Sequence, residues 1–352
     1  MKLGIGFYRN LLTPENFRFA RQAGATHVVA HLVDYFNTGP RFEATKADGW
    51  GETGKYDHLW TQESLEILKS SVNAAGLELE AVENFDPAHW HDVLLDGPRK
   101  HEQMEHLKTI IRNVGAAGIP VFGYNFSIAG VWGWVTGEFA RGGAESVGFL
   151  GDVPETPIPN GMVWNMIYNG KAPAGTIGKV TTEQLWERLT YFLQELVPVA
   201  EEAGVRLAAH PDDPPMPTLR GTARLVYQPR LYQKLLDIYP SRSNALEFCI
   251  GTLAEMTEGD IYDVVDQYSQ QQAVAYVHLR NVRGKVPDYR EVFIDEGDVD
   301  MLRVLYILKQ NNYDGVVIPD HTPQMTCAAP WHAGMAYALG YIRAALQAIG
   351  GE

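Results

Sequence analysis

The chain has 352 residues, of which 45% are hydrophobic and 20% are charged, and its formal net charge is -14. A chain of this length can bury a large core, in one barrel-sized domain or in two smaller ones. The negative charge disfavours nucleic acid and an anionic membrane surface as partners, and an anionic substrate would need a metal ion or arginines beside it.

Two features bear on the cellular compartment. The chain contains only Cys249 and Cys327, which are too few for a disulfide framework and favour a reducing compartment. The segment from Met1 to Tyr8 alternates like a strand and lacks the basic and apolar regions of a signal peptide. No apolar run in the sequence is long enough to cross a bilayer. We therefore expect a cytoplasmic protein.

Short β-like runs alternate with longer helical runs, which favours βα units around a parallel sheet. The predicted strands are Leu3–Tyr8, Thr26–His31, Glu78–Glu83, Pro120–Asn125, Arg206–Ala209, Ala245–Phe248, Val274–His278 and Gly315–Ile318. The predicted helices lie near Pro14–Ala23, Thr61–Ala75, Pro98–Ala117, Thr182–Ala203, Gln228–Ile238, Asp260–Gln270, Val299–Gln310 and Gly334–Ala348. Eight such units predict a (β/α)8 TIM barrel that takes residues 1–352 as one domain.

Two long segments, Asn37–Tyr56 and Ser127–Lys179, follow the second and fourth predicted strands without a sustained apolar period. Loops of this length after barrel strands usually cap the active site or make subunit contacts. We predict that residues 127–180 form an ordered lid, because they carry large apolar side chains. Those side chains are Trp132, Trp134, Phe149, Trp164 and Tyr168. The alternative is a partly disordered segment.

Four predicted strands are each followed, or ended, by a residue that can bind a metal ion. These residues are His210, Cys249, His278 and Asp320. Taken singly, each has a structural alternative, such as a hydrogen-bonded core histidine or a small buried cysteine. Because the carboxyl ends of barrel strands meet at one mouth, the four together predict a divalent metal site there. Two imidazoles, a thiolate and a carboxylate suit Zn, Mn, Fe or Co, and the sequence does not choose among them.

Two further candidates lie beside these ligands. Adjacent residues that leave a strand point in different directions, so His321 is predicted to exchange protons with a substrate while Asp320 binds the ion. Arg280, two residues after His278, is predicted to pair with a substrate carboxylate through its planar guanidinium. The alternative for Arg280 is a surface arginine that caps a helix.

Other pocket residues are expected at the ends of the third and fourth strands and in the lid. Glu83, Tyr124 and Asn125 are predicted polar groups of the pocket, and each could equally make a structural hydrogen bond. Trp132 and Trp134 would offer aromatic faces to the apolar face of a sugar ring. Packing within an exposed loop is the competing interpretation for both tryptophans.

Several motifs near the predicted strand ends together resemble a known family. They are Val197–Arg206 leading into His210–Pro215, then Phe248–Gly251, His278–Arg280, Gly297–Met301 and Pro319–His321. In these motifs the chain resembles the mannonate dehydratase family. Its members are metal-dependent (β/α)8 barrels of the xylose-isomerase-like type that convert D-mannonate to 2-keto-3-deoxygluconate.

The resemblance implies a role for each matched residue. The metal ligands fall on His210, Cys249, His278 and Asp320, and the acid/base histidine falls on His321. The expected cofactor is one divalent ion, with Mn favoured and Fe, Co, Zn or Mg also open. The expected partner is a small-molecule sugar acid or sugar derivative, and we expect a homo-oligomer.

The chain also departs from the family pattern. The family carries an Asp-Trp-Thr-Arg run after its Tyr-Asn-Phe motif, whereas this chain has Gly133-Trp134-Val135-Thr136. The glycine that follows the family's Asp-His pair is replaced by Thr322, and the later Gly-Tyr pair is absent from its expected place. Tyr337 or His332 could stand in for the missing tyrosine. Metal chemistry is therefore better defined than substrate identity.

We expect a metal-dependent hydro-lyase that dehydrates D-mannonate or a close analogue. One alternative is a metal-dependent sugar isomerase or epimerase, or another lyase that acts on a sugar derivative or glycoside. A second alternative is a barrel that binds ligands without catalysis. The four ligand positions together with His321 weigh against this second alternative.

Overall fold

The computed structural model describes residues 1–35, 49–53, 59–151 and 156–350, so most of the predicted loop Asn37–Tyr56 lies outside the described residues. Eight parallel strands close into a barrel, which confirms the predicted fold. Each strand end lies within one residue of its prediction. The strands are β1 (Lys2–Phe7), β2 (His27–His31), β3 (Glu78–Glu83), β4 (Val121–Tyr124), β5 (Arg206–Ala209), β6 (Asn244–Cys249), β7 (Val274–His278) and β8 (Val316–Ile318). β8 pairs back onto β1 and closes the barrel.

Helices surround the barrel. They are Pro14–Gln22, Gln62–Asn73, Pro87–Leu95, Lys100–Ala116, Thr182–Ala203, Arg230–Ile238, Ile250–Glu255, Ile261–Gln270, Met301–Gln310 and Pro330–Ala348, with 3-10 turns at Arg9–Leu11 and Arg141–Gly143. The longest begins at a capping box of Thr181 and Gln184 and ends at Gly204, whose φ of 69° is in the left-handed region that favours glycine. Within the described chain, no helix combines the length and apolarity that a bilayer span requires.

Two of these helices are absent from the sequence prediction. Pro87–Leu95 begins after Asp86, whose carboxylate accepts the backbone N–H of Ala88. Ile250–Glu255 follows the end of β6 directly and is buried on all sides. A helix without an exposed face has no amphipathic period, so this second helix left no periodic signal in the sequence.

The barrel interior has a closely packed layer beneath its carboxyl-terminal mouth. A separate buried cluster consists of Val29, Ala81, Val121, Ala208, Ala245, Ala275, Tyr276, Val316 and Ile318. Because many members of this cluster are alanines, the interior has room for the large Tyr276 ring. The side chains of the site stand above this layer, where the strands end.

A four-stranded antiparallel sheet, absent from the sequence prediction, extends from one side of the mouth. Its strands, in spatial order, are Asn281–Lys285, Asp288–Val292, Ala144–Leu150 and Trp134–Ala140. The first two form a hairpin after β7, and the last two belong to the predicted lid segment. Shorter strands are Gly51–Glu52, Met162–Val163, Met166–Ile167, Thr218–Leu219 and Thr222–Ala223. We call the four-stranded unit the mouth sheet.

Candidate active site

A pocket opens at the carboxyl ends of the barrel strands. Its lining is mostly aromatic or ionisable: Tyr8, His31, Tyr35, Trp50, Glu83, Asn84, Asn125, Val131, Trp134, Trp164, His210, Asp213, His278, Asp320 and His321. Active sites of TIM barrels lie at this end, because the strand ends and the loops that follow them converge there.

The four predicted metal ligands lie together in and beneath this pocket. His210, Cys249 and His278 bring ligand atoms within 4.8 Å of one another. Asp320 adjoins them, with Oδ2 3.7 Å from the Cys249 Sγ and Oδ1 3.6 Å from the His278 Nδ1. Neither ring nitrogen of buried His278 has a well-aligned hydrogen-bond partner among the described residues, although a carboxylate oxygen lies close to each of them. Such ligand atoms in a mixed nitrogen, sulfur and oxygen set fit a divalent transition metal.

The orientation of His210 is set by its own loop. Its Nδ1 lies 2.6 Å from the Pro211 carbonyl oxygen, which also accepts the Asn125 side-chain N–H at 3.1 Å. Because Nδ1 is directed at this carbonyl, Nε2 is the nitrogen that His210 can offer as a ligand. Asn125 therefore lies in the predicted region and supports the loop that carries the ligand.

The electrostatics of the ligand residues reflect several buried charges. Burial lowers the pKa of His210, but the Glu247 carboxylate and a hydrogen bond with Cys249 outweigh it and raise the pKa to about 10. Burial raises the pKa of the Cys249 thiol, but Arg280 and hydrogen bonds from His210 and His278 lower it to about 6. A thiolate is the form of cysteine that binds metals, so this environment suits a ligand.

His321 lies in the pocket next to Asp320, as predicted from their adjacency. Its Nδ1 is 3.1 Å from Oε1 of Glu291, and its Nε2 is 3.4 Å from Oδ1 of Asp320. Burial lowers the pKa of His321, but Asp320 and Glu291 outweigh it and raise the pKa to about 9. Trp134 meets the imidazole edge-on, with ring centroids 5.4 Å apart.

Comparison with known proteins agrees with this geometry. A family model described as D-mannonate dehydratase (UxuA) matches residues 2–151 and 155–349. The chain belongs to the D-mannonate dehydratase family. It is therefore a carbohydrate lyase of a metal-dependent family, a sugar-acid hydro-lyase.

Relatives named mannonate dehydratase are similar over most of the chain. The protein from Streptococcus pneumoniae strain 70585 is 32% identical over 287 residues, which are 76% of this chain and 77% of that protein. The crystal structure of mannonate dehydratase from Streptococcus suis serotype 2 superposes with a TM-score of 0.75 at 26% identity, covering 100% of this chain and 96% of that one. An L-ribulose 3-epimerase, with a TM-score of 0.59 at 13% identity over 99% of this chain and 95% of that one, shares the fold.

Arg280 occupies a different environment from the predicted one. Its side chain is 1% exposed, and Nη2 lies 2.7 Å from Asp213 and 3.2 Å from Glu255. Nη1 contacts Glu291, and Nε lies 3.4 Å from Oδ2 of Asp320. The guanidinium does not line the pocket. The expectation that it binds a substrate carboxylate is therefore corrected, because the protein's own carboxylates already occupy its donors.

Tyr337 and His332 also lie outside the pocket. The Tyr337 hydroxyl is 3.4 Å from Nη2 of Arg141, and Nε2 of His332 is 2.9 Å from Oδ1 of Asn16. Both residues are on the helix Pro330–Ala348, and neither lines the pocket. The prediction that one of them replaces the family's tyrosine in the site is not supported by their positions.

Among the other pocket predictions, Glu83, Asn125 and Trp134 line the cavity, whereas Tyr124 does not. Tyr124 is fully buried, and its ring packs 5.0 Å from that of Phe192 on an outer helix. Successive side chains of a strand point to opposite faces, so Tyr124 faces the helices while its neighbour Asn125 faces the mouth.

Trp132 likewise does not line the pocket. Its ring packs against the Arg220 guanidinium, with 3.8 Å between the guanidinium carbon and the ring centroid. Of the two tryptophans predicted to meet a sugar, Trp134 alone lines the cavity.

His31 is a pocket residue that the sequence interpretation missed. It ends β2 in the same manner as the predicted ligands end their strands. Its Nε2 lies 3.5 Å from Oε2 of Glu83, and its ring lies 4.9 Å from that of Tyr8. Burial lowers the pKa of His31, although Glu83 opposes the shift, so the ring is poised to be neutral near pH 7. The same strand-end rule that selected His210 would have found it.

Proposed function

We propose that the chain dehydrates D-mannonate, or a close aldonic acid, to the corresponding 2-keto-3-deoxy acid with the aid of one divalent ion. The observation that carries this proposal is the cluster of His210, Cys249, His278 and Asp320 with His321 beside it at the barrel mouth. The named relatives act on mannonate, and the same substrate is proposed here on the strength of the shared family.

We propose that the four ligand residues hold Mn. Their nitrogen, sulfur and oxygen donors also suit Fe, Co or Zn, and they suit these ions better than they suit Mg. When bound, the ion supplies positive charge that stabilises the substrate carboxylate as negative charge develops beside it. Within the described lining of the pocket there is no lysine or arginine, which supports a metal ion as the partner of the carboxylate.

His321 is the proposed proton donor to the departing hydroxyl. Its Nδ1 is held by Glu291 at 3.1 Å, and its Nε2, which lies 3.4 Å from Oδ1 of Asp320 and borders the pocket, is the proposed donor. The pKa of about 9 keeps the imidazole protonated near pH 7, the form that a general acid needs.

His31 is the proposed acceptor of the proton on the carbon next to the carboxylate. It lines the same pocket as His321, and its lowered pKa leaves a ring nitrogen without a proton near pH 7. Two histidines whose surroundings shift their pKa values in opposite directions provide an acid and a base in one pocket.

Three further properties are proposed. The segment 127–180 acts as a lid that sets substrate choice, which the position of Trp134 in the pocket wall supports. The protein is also proposed to be cytoplasmic and to assemble as a homo-oligomer, as the sequence analysis expects.

The test is a substrate screen of the metal-loaded protein. Protein stripped with a chelator and reloaded with Mn, Fe, Co, Zn or Mg is incubated with aldonic acids and with ketoses, and 2-keto acid formation is measured. We expect turnover of D-mannonate or a close stereoisomer by the reloaded protein and none by the stripped protein. Turnover of ketoses alone, without any 2-keto acid from an aldonic acid, would overturn the proposal.

A further inference from the structure

Glu247 is a fully buried carboxylate that neither the sequence motifs nor the pocket lining includes. It lies on β6 two residues before Cys249, so both side chains point into the barrel, with Glu247 one layer deeper. Its Oε2 accepts a hydrogen bond from the Tyr276 hydroxyl. A carboxyl group this deeply buried needs polar partners, because burying a polar group without them is costly.

The other oxygen of Glu247 faces the metal-ligand histidines. Oε1 lies 3.0 Å from the His278 Nε2 and 3.8 Å from the His210 Nε2. Oε2 of Glu83 lies 3.4 Å from the same His278 nitrogen. Each of these two carboxylate oxygens is buried and lacks a hydrogen-bond donor aligned on it among the described residues. The Nε2–H of His278 points between Oε1 of Glu247 and Oε2 of Glu83. Both oxygens share this N–H, and it is aligned with neither of them.

The other ring nitrogen of His278 faces a second predicted ligand residue. Nδ1 lies 3.6 Å from Oδ1 of Asp320, another of the four ligand residues. Metal-binding histidines usually donate their second ring N–H to a carboxylate, which fixes the tautomer and raises the basicity of the ligating nitrogen. His278 matches this pattern, because Nδ1 faces the ligand residue Asp320 and Nε2 faces the carboxyl groups of Glu247 and Glu83.

The surrounding strands are shaped for this arrangement. A β-carbon on Gly123 of β4 would come within 2.1 Å of the Tyr276 hydroxyl oxygen and 3.0 Å of the Glu247 Oε2. Glycine at this position therefore leaves the space in which the hydroxyl reaches the carboxylate. The Tyr276 hydroxyl, in turn, holds Glu247 against His278.

We propose that Glu247 is a positioning residue for the metal site: with Glu83, it holds the Nε2–H edge of His278 and leaves Nδ1 as the atom offered to the ion. This inference rests on the proposed metal set. It adds a carboxyl group and a tyrosine beneath that set, and neither residue lines the pocket.

The test compares metal affinity in four proteins. Glu247→Gln keeps the shape but replaces one carboxyl oxygen with an amide NH2 group. Tyr276→Phe removes the hydroxyl that holds Glu247. Glu80→Gln is the matched control. Glu80 is a buried glutamate of β3 that bonds Lys2 at 2.6 Å and lies away from the site. Affinity for Mn and Co is measured by competition with a chelator. Melting temperature with and without metal reports folding.

We expect Glu247→Gln to weaken metal binding by about 10–100-fold, the usual cost of losing such a partner. Tyr276→Phe should show a smaller loss in the same direction, and Glu80→Gln should bind like the wild type. The visible absorption bands of the Co-saturated Glu247→Gln protein should shift, which a purely structural role of Glu247 would not produce.

Two results would overturn the inference. One is wild-type affinity and wild-type Co absorption in folded Glu247→Gln. The other is a second equivalent of bound metal that disappears in this variant, because the carboxylates would then form a cation site of their own. A wild-type protein that binds no divalent ion would instead refute the proposed function, so the two failures are distinguishable.

Discussion

Glu291 joins Arg280 to His321. Its carboxylate contacts Nη1 of Arg280 and lies 3.1 Å from Nδ1 of His321. Because Glu291 stands on the mouth-sheet strand Asp288–Val292, the sheet beside the barrel helps to orient a residue at the end of β8. One edge of the imidazole is thereby fixed and the other faces the pocket.

Replacing His321 tests its proton-transfer role. His321→Asn should retain metal and most substrate affinity but lower kcat by about two orders of magnitude or more. Metal content, melting temperature and kcat are measured on one preparation. Near-normal turnover in a stable, metal-loaded variant would remove His321 from the mechanism.

Glu291→Gln probes the same histidine through its partner. Because the Glu291 carboxylate raises the pKa of His321, its loss should lower that pKa. A general acid must be protonated, so the alkaline limb of the kcat profile should move to lower pH. An unmoved limb would show that His321 does not control it.

Removing a metal ligand should abolish metal binding. Cys249→Ala and His210→Ala each delete one donor from a cluster whose ligand atoms lie within 4.8 Å of one another. We expect both variants to fold, to lose most bound metal by elemental analysis, and to lose more activity than any pocket variant. The exposed Cys327 provides a matched control, and Cys327→Ala should keep full metal content. Full occupancy in both ligand variants would contradict the assigned site.

Arg280 is predicted to stabilise the fold and the site rather than to bind substrate. Its guanidinium is the shared cation of Asp213, Glu255, Glu291 and Asp320. Arg280→Met leaves these carboxylates without their cation, and breaking a buried ion pair costs about 3–5 kcal/mol. Chemical denaturation should show this loss. If the variant has the wild-type free energy of unfolding and its only change is a raised KM, Arg280 binds substrate after all.

The barrel could be predicted from the sequence because its strands are local, apolar and separated by helices that end at glycine, as at Gly204. The convergence of His210, Cys249, His278 and Asp320 could be predicted because the carboxyl ends of the barrel strands meet at one mouth, whatever conformation the loops adopt. The mouth sheet could not be predicted in this way, because its strand Asp288–Val292 pairs with Ala144–Leu150, which lies more than a hundred residues earlier in the chain. Glycines such as Gly137 and Gly148 also interrupt the alternating pattern of its strands.

The misplaced site residues have a related cause. The expectation for Arg280 rests on its distance from His278 along the chain. The carboxylates that surround it come from a loop, a helix and a strand: Asp213, Glu255 and Glu291. The expectation for Tyr337 rests on residue type alone. Sequence spacing does not report which charges a fold brings together, so neither assignment could be checked before the structure.

His31 should matter as the proposed base. His31→Gln keeps a polar side chain but cannot exchange a proton near neutral pH, so kcat should fall by about two orders of magnitude with metal content unchanged. Exchange of the substrate's C2 proton with solvent deuterium separates its role from that of His321. Exchange should be lost in His31→Gln and retained in His321→Asn. Retained exchange in His31→Gln would assign the base elsewhere.

Trp134 is expected to determine substrate choice. Its indole N–H donates to the Tyr289 hydroxyl at 2.8 Å, and that hydroxyl donates to Asp213 at 2.9 Å, so the lid segment is tied to the loop after β5. The ring also lines the pocket beside His321. Trp134→Ala should therefore both loosen this connection and remove an aromatic wall.

Two variants separate these effects. Trp134→Phe keeps an aromatic face but loses the N–H, whereas Trp132→Phe changes a lid tryptophan that packs on Arg220 outside the pocket. We expect Trp134→Ala to change the ratio of kcat/KM values among accepted sugar acids by about tenfold or more, because a difference of one methylene group in a pocket already changes discrimination by about 1–3 kcal/mol. Trp134→Phe should change it less, and Trp132→Phe should leave it unaltered. If Trp134→Ala turns over every accepted substrate at the wild-type rate, the lid segment does not select the substrate.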